Sequence, residues 1–372
     1  MKILYVATVQ SHIAQFHLRA IDMLKEKGYE IHVAARDNLA EKNGLRLRNV
    51  DRVFNIPFER SPFKMKNIRA YRQLKQVITQ EKYDMIHCNT PVGGILTRLA
   101  ANRSRKNGTV VIYTAHGFHF YKGAPLKNWL VFYPIEKFMS GFTSRLVTIT
   151  EEDFQLARRK FKCPVYRIHG VGANSEKYGR IRADELDAVT KRFNLEGKFV
   201  LLCTGELNQN KNQKTLIEAM KMVSRKIPDS ILLLAGNGPA KDALEEQIRN
   251  NNLQAYVKLL GYVTDLEKYV HLADVIISAS YREGLPLNIV EAMYCKKPVV
   301  ASVNRGHKEL IEDSTDGYLV PAADPAAFAD KIVALAKDPA LRSRFGQQGY
   351  IKAQRYMDTN VLQELKEVYE IK

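Results

Sequence analysis

Short runs that read as fully buried strands alternate with segments of helical periodicity along this chain; the alternation stops near residue 170 and restarts near residue 199. In the first half the strand-like runs are 3–8, 30–35, 85–88, 110–115 and 146–150, and the helical ones are 13–27, 68–79, 93–105 and 126–139. In the second half strands at 199–203, 231–235, 257–260, 275–278 and 299–301 alternate with helices at 213–225, 240–250 and 286–293. Such alternation closes most readily as a parallel sheet covered by helices on both faces. The pattern therefore predicts an α/β protein of two doubly wound domains, and 372 residues leave room for a core in each. Gly170-Val171-Gly172-Ala173-Asn174-Ser175, just beyond a strand at 165–168, breaks the pattern and marks the hinge, giving domains 1–170 and 171–351. From about residue 341 to 372 the chain is expected to be helical and rich in charge.

The net charge of +17 is unevenly spread: residues 1–170 hold 29 Lys and Arg against 13 Asp and Glu, leaving 28 against 27 for the rest. That asymmetry points to an anionic partner for the first half, either nucleic acid or an acidic membrane surface. No basic recognition helix with interleaved aromatics and no RNA-binding signature is present, which argues against nucleic acid. Two stretches could meet a membrane: Arg60, Lys64, Lys66, Arg69, Arg72 and Lys75 around Phe63 and Tyr71, and the bulky Trp129, Leu130, Phe132, Tyr133, Phe138 and Met139 between Lys127 and Lys137. The bland readings are a solvated helix face for the first and core packing for the second. No run approaches the roughly twenty apolar residues of a spanning helix, and the apolar start 3–9 reads as a strand, not a signal peptide, so a cytoplasmic protein is expected. Cys88, Cys163, Cys203 and Cys295 lie far apart, and among the nine histidines only His116 and His119 form a close couple. No metal site and no cofactor are expected.

Ligands of open parallel sheets bind beyond the carboxyl ends of the strands, so strand–helix junctions should carry the site. The most informative junction runs from Glu283 to Glu291 through Gly284, Leu285, Pro286, Leu287 and Asn288. Gly284 permits a tight turn and Pro286 favours a helix start, which leaves free N–H groups around Leu287 and Asn288 for phosphate. The two carboxylates could then take sugar hydroxyls on one side of a diphosphate and a ribose on the other. Thr204, Gly205 and Lys211 follow the strand 199–203, with Lys211 placed as a phosphate clamp. Gly236-Asn237-Gly238 lacks the third glycine of a dinucleotide site, since Lys241 stands there. His116 ends the strand 110–115 before Gly117, and His12 follows the first strand as an acceptor contact or a helix-capping residue.

The Glu283–Glu291 element resembles that of the retaining glycosyltransferases of family 4, which have the GT-B fold. The likeness extends through 204–211, 236–239, 260–262, 304–309 and 316–320, and the run 113–123 is similar to the branch that builds bacterial capsule and exopolysaccharide. The resemblance implies two Rossmann-like domains facing a central cleft: an N-terminal acceptor domain, onto which 352–372 packs back, and a C-terminal nucleotide-sugar domain. It implies donor contacts at Thr204, Gly205, Lys211, Gly236, Gly261, Tyr262, Gly284, Leu285, Leu287, Asn288 and Glu291. Catalytic roles fall to His116, beside the reacting carbon of the donor sugar, and to Glu283; His119 and Lys122 continue toward the acceptor. Many members carry an Arg five residues before the clamp Lys, where this chain has Glu206, so Arg282 or Arg305 is left to supply that charge. The implied activity is retaining, metal-independent hexosyl transfer from a UDP-sugar, a UDP-N-acetylhexosamine being one option, to a lipid-linked saccharide. The enzyme would work at the inner face of the cell membrane, its basic half on the anionic surface. The alternatives are a UDP-sugar epimerase of the same architecture and, behind it, a basic nucleic-acid-binding protein.

Overall fold

The computed structural model of the chain describes residues 1–41 and 44–371 and resolves into two compact units, Met1–Gly172 with Asp358–Lys372, and Ala173–Met357. The first contains seven strands: β1 (Lys2–Val9), β2 (Glu30–Arg36), β3 (Arg52–Asn55), β4 (Met85–Asn89), β5 (Val110–Ala115), β6 (Arg145–Thr148) and β7 (Val165–Arg167). They form one parallel sheet in the order β3-β2-β1-β4-β5-β6-β7. β1 and β4 are buried on both faces, which is why they read as unbroken apolar runs. β3 escaped the sequence reading because it is an edge strand whose residues are mostly exposed.

The single helix expected over 13–27 is two, Gln10–Phe16 and Leu18–Glu26, joined at His17 (φ −123°, ψ 0°). The terminal segment is helical, as expected, in two pieces: Pro339–Ala353 ends in a short tight turn at Gln354–Tyr356, and a separate helix runs Asp358–Tyr369. That last helix belongs to the first unit. Its Tyr369 hydroxyl bonds the Tyr5 hydroxyl and His87 Nδ1, each at 2.7 Å, and its Glu364 accepts the His169 N–H at 2.8 Å. These buried polar links tie the chain end under the central strands β1 and β4, where an unpaired hydroxyl would cost stability.

The second unit contains β8 (Phe199–Thr204), β9 (Ser230–Ala235), β10 (Val257–Gly261), β11 (Val275–Ser278), β12 (Val299–Ser302) and β13 (Gly317–Val320), all parallel in the order β10-β9-β8-β11-β12-β13. Alternate residues of each strand feed two separate apolar layers: Leu201 and Cys203 of β8 enter one, Val200 and Leu202 the other. The α/β, doubly wound expectation is thus borne out in both units. Both leave the carboxyl ends of β1, β4 and β5, and of β8, β9 and β11, as the places where loops gather.

Candidate active site

In the second unit the loops after β8 and β9 approach so closely that only glycine fits. Gly205 has φ +138° and Gly236 φ +154°, and a Cβ on Gly236 would fall on the Gly205 carbonyl. The Gly236 N–H donates to the Gly261 carbonyl at 2.8 Å, which brings the end of β10 into the same cluster. The loop then folds back so that the Lys211 N–H donates to Asn208 Oδ1 at 2.9 Å, and the Lys211 ammonium reaches Glu283 Oε1 at 2.7 Å. Both side chains are largely shielded, 22% and 14% exposed. The expected clamp and the expected sugar-binding carboxylate therefore form one ion pair. Glu206, in contrast, is exposed and accepts from Asn208 Nδ2 at 2.9 Å.

Glu283 and Gly284 lie under Gly306, where a Cβ would meet the Gly284 carbonyl at 2.5 Å and Glu283 Cβ at 2.8 Å. Gly306 belongs to a helix, Arg305–Leu310, capped by Asn304, whose Oδ1 accepts from the His307 N–H at 3.0 Å. His307 is fully buried. Its Nδ1 lies 2.7 Å from the Ser302 carbonyl, so that nitrogen carries the proton, and Nε2 has no partner among the described residues. Burial pulls its pKa down, with Glu283 and Lys211 among the charges it feels, so it is a neutral imidazole beside that pair. Of the two arginines proposed to replace the missing charge, Arg282 is exposed and its carbonyl accepts from Asn210 Nδ2 at 3.0 Å, while Arg305 opens the helix that carries Gly306.

Pro286 proves to be the N-cap residue of the helix Leu287–Tyr294 and not part of its first turn. No side chain caps this helix and no acid lies in its first turn, so its leading N–H groups keep their affinity for an anion. Asn288 Nδ2 donates to the Thr204 carbonyl at 3.3 Å, joining this helix start to the end of β8, and the buried Thr204 hydroxyl has no partner among the described residues. Leu285 and Leu287 pack on the apolar layer, and Tyr262 is exposed. Glu291 sits against Tyr178. Burial above all pushes its carboxyl up to about 7, against the hydrogen bond from Tyr178 and the charge of Lys177, which lower it.

In the first unit the ends of β1, β4 and β5 carry imidazoles. His12 Nε2 stands 3.4 Å from His116 Nε2, which lies 3.1 Å from Asn89 Oδ1. His17 joins them: one ring nitrogen from each of His12, His17 and His116 lies within 4.8 Å of the other two. His87 lies nearby, its ring 6.0 Å from that of His17, between Tyr369 and Thr114 Oγ1. Burial holds His12 down to about 4, His87 down to about 3, and His17 and His116 well below their ordinary value, each of the last two also repelled by its neighbours. The group is neutral at pH 7.

The His116/His119 couple suggested by spacing does not form this cluster. Gly117, at φ +121°, redirects the chain, and His119 is exposed and stacked on Phe132 at 4.7 Å, while the Lys122 N–H is held by Glu152. His12 is an interior helical residue and does not cap. His17 and His307 escaped the sequence reading. On one straight helix His12 and His17 would point about 140° apart, and only the break at His17 lets both face His116.

Comparisons with known proteins bear on the family and the fold. Residues 187–352 match the family model "Glycosyl transferases group 1", and residues 2–150 match "Glycosyl transferase 4-like". The chain is 42% identical over 99% of its length, and 96% of the relative's, to "Putative glycosyltransferase EpsD" of Bacillus subtilis (strain 168). It is 26% identical, over 89% of its length and 86% of the relative's, to the Escherichia coli UDP-Gal:alpha-D-GlcNAc-diphosphoundecaprenol alpha-1,3-galactosyltransferase. In fold it superposes on Anabaena Alr3699/HepE in complex with UDP-glucose with a TM-score of 0.79, at 20% identity, covering 100% of this chain and 99% of the other.

Proposed function

The chain belongs to the family 4 glycosyltransferases of GT-B fold, and from that premise we propose that it moves a sugar from a UDP-sugar to a lipid-linked saccharide during assembly of a bacterial surface polysaccharide. The observation that carries the donor half of this reading is the shielded Lys211–Glu283 pair close to the uncapped start of the helix Leu287–Tyr294. A diphosphate bound there meets an ammonium and oriented N–H groups without a metal ion, and these donors stabilise the charge that builds up as the sugar leaves. Glu283, freed from Lys211 by the phosphate, accepts sugar hydroxyls; Glu291 accepts those of the ribose. His116, a neutral imidazole, orients the donor sugar near its reacting carbon. Transfer proceeds with retention, the leaving phosphate assisting deprotonation of the acceptor hydroxyl. UDP as the nucleotide is supported by the donor named for the Escherichia coli relative and by the ligand of the Anabaena structure.

The acceptor half rests on the first unit. Among the described residues no helix is long and apolar enough to cross a membrane. Yet Phe63 is 90% exposed beside Lys64 and Lys66, and the helix Leu126–Met139 turns Leu126, Leu130 and Phe138 outward at 73%, 69% and 66%. Trp129 and Tyr133 of that helix instead pack inward around Phe120, and Met139 is buried, so the bulky stretch divides between core and surface. Basic and apolar side chains exposed together suit a peripheral contact with an anionic bilayer, where a lipid-linked acceptor resides. The test is UDP release across a panel of UDP-sugars, with and without lipid-linked acceptor in anionic vesicles. Turnover that requires both one donor and an acceptor is the expected result; interconversion of the free UDP-sugar alone would sink this reading.

A further inference from the structure

We propose that the first unit holds a binding site for one divalent late transition-metal ion, zinc above all, with His12, His17 and His116 as its protein ligands. Zinc–imidazole bonds of about 2.0–2.1 Å place tetrahedral ligand atoms about 3.4 Å apart. His12 Nε2 and His116 Nε2 already stand at 3.4 Å, and the three imidazoles bring one nitrogen each within 4.8 Å of the others, so small side-chain rotations close the set.

Two further observations point to a ligand. His17 is 5% exposed, and its Nε2 has no hydrogen-bond partner among the described residues, a cost that metal ligation would remove. Asn89 Oδ1, 3.1 Å from His116 Nε2, is placed to supply or orient the fourth position, and its amide nitrogen is likewise without a partner among the described residues. The cluster of three contains no carboxylate, so the donor set is imidazole nitrogen with one amide oxygen or water. That set suits zinc, cobalt or nickel and not magnesium or calcium, which take oxygen ligands. His12 and His116 are partly exposed, which gives an ion a way in.

Transfer as proposed above does not use such an ion. An ion bound there would occupy the nitrogen that His116 offers to the donor sugar, so occupancy should slow turnover; that consequence rests on the role proposed above for His116, whereas metal binding itself does not. The two are separated by reading the metal directly. The full chain, freed of metal by chelation, is titrated with Co²⁺ while its visible d–d absorption is followed; Zn²⁺ is then added as competitor. The expected result is an intense four-coordinate band that saturates at one Co²⁺ per chain and is abolished by Zn²⁺. His12→Ala and His116→Ala, each at a partly exposed position, should weaken Co²⁺ binding more than about 100-fold while keeping the wild-type circular dichroism and melting curve. His119→Ala should bind as wild type does. Absence of a saturable band, a weak six-coordinate spectrum, or binding undiminished in folded His12→Ala and His116→Ala would overturn the proposal.

Discussion

The two units share a strand order, β3-β2-β1-β4-β5-β6 in the first and β10-β9-β8-β11-β12-β13 in the second, and diverge in what they place at the ends of the strands and on their surfaces. The second is close to neutral, with 26 Lys and Arg against 23 Asp and Glu, and gathers glycines at positive φ, an ion pair and an uncapped helix start. The first holds 31 against 17, exposes most of the large apolar side chains found on the described surface, and collects neutral imidazoles where the second has charges. One backbone plan thus supports an ion pair beside an uncapped helix start in one unit and an uncharged imidazole cluster in the other. Chemistry resides in the loops, and the sheet only sets where they meet.

The sharpest way to break the comparison is His116→Ala. If the first unit positions the reacting sugar and the second holds the nucleotide, turnover should fall by about 10²-fold while the UDP affinity measured by calorimetry stays at the wild-type value. A parallel loss of UDP binding would erase the division of labour.

Lys211→Met makes the opposite cut. It should weaken UDP binding by about 1.5–3 kcal/mol, the scale of a charge-assisted hydrogen bond, and leave the first unit's melting unaffected. Unchanged affinity would remove Lys211 from the phosphate site and leave its pairing with Glu283 as a structural contact.

Glu291 sharpens the contrast through pH. Its carboxyl rises from 4.5 to about 7 on folding, so the folded unit favours the protonated form; that stability is complete below pH 4.5 and is lost as pH rises through 7. UDP binding should run the other way, strengthening through the same interval as the carboxylate forms and accepts ribose hydroxyls. Glu291→Gln should therefore stabilise the unliganded protein at pH 8 by about 3 kcal/mol, read as a higher melting temperature, and flatten the pH dependence of UDP affinity. A variant that is less stable at pH 8 would mean that the buried carboxylate is compensated in the folded unit.

The smallest effects belong to the surface. Reversing Lys64, Lys66 and Arg69 should cost about 1 kcal/mol of anionic-liposome binding per residue, and binding of the wild type should fall steeply with salt. Leu130→Ser with Phe138→Ser should weaken the salt-resistant remainder. Binding indifferent to salt and to lipid charge would leave the basicity of the first unit unexplained.

How much of this was legible follows the range of the interactions. The buried strands announced themselves because each is a short apolar run, and β3 hid because it is an exposed edge. The Glu283–Glu291 junction was readable because glycine, proline and the two acids fall within nine consecutive residues. The pairing of Lys211 with Glu283, 72 residues on, and of Glu291 with Tyr178 was not, since nothing local encodes either partner.

Sequence alone determined the fold class, the two-unit plan, the charge asymmetry and the residues at the strand ends, because periodicity, turn chemistry and net charge are sums over neighbours along the chain. Tertiary structure alone decided which of those residues meet. It split one expected helix at His17, turned His119 away onto Phe132, and brought His12 and His17 to His116 across about a hundred residues. The physical reason is that side chains at the ends of parallel strands become neighbours through the order of the strands in the sheet, which spacing in sequence does not report.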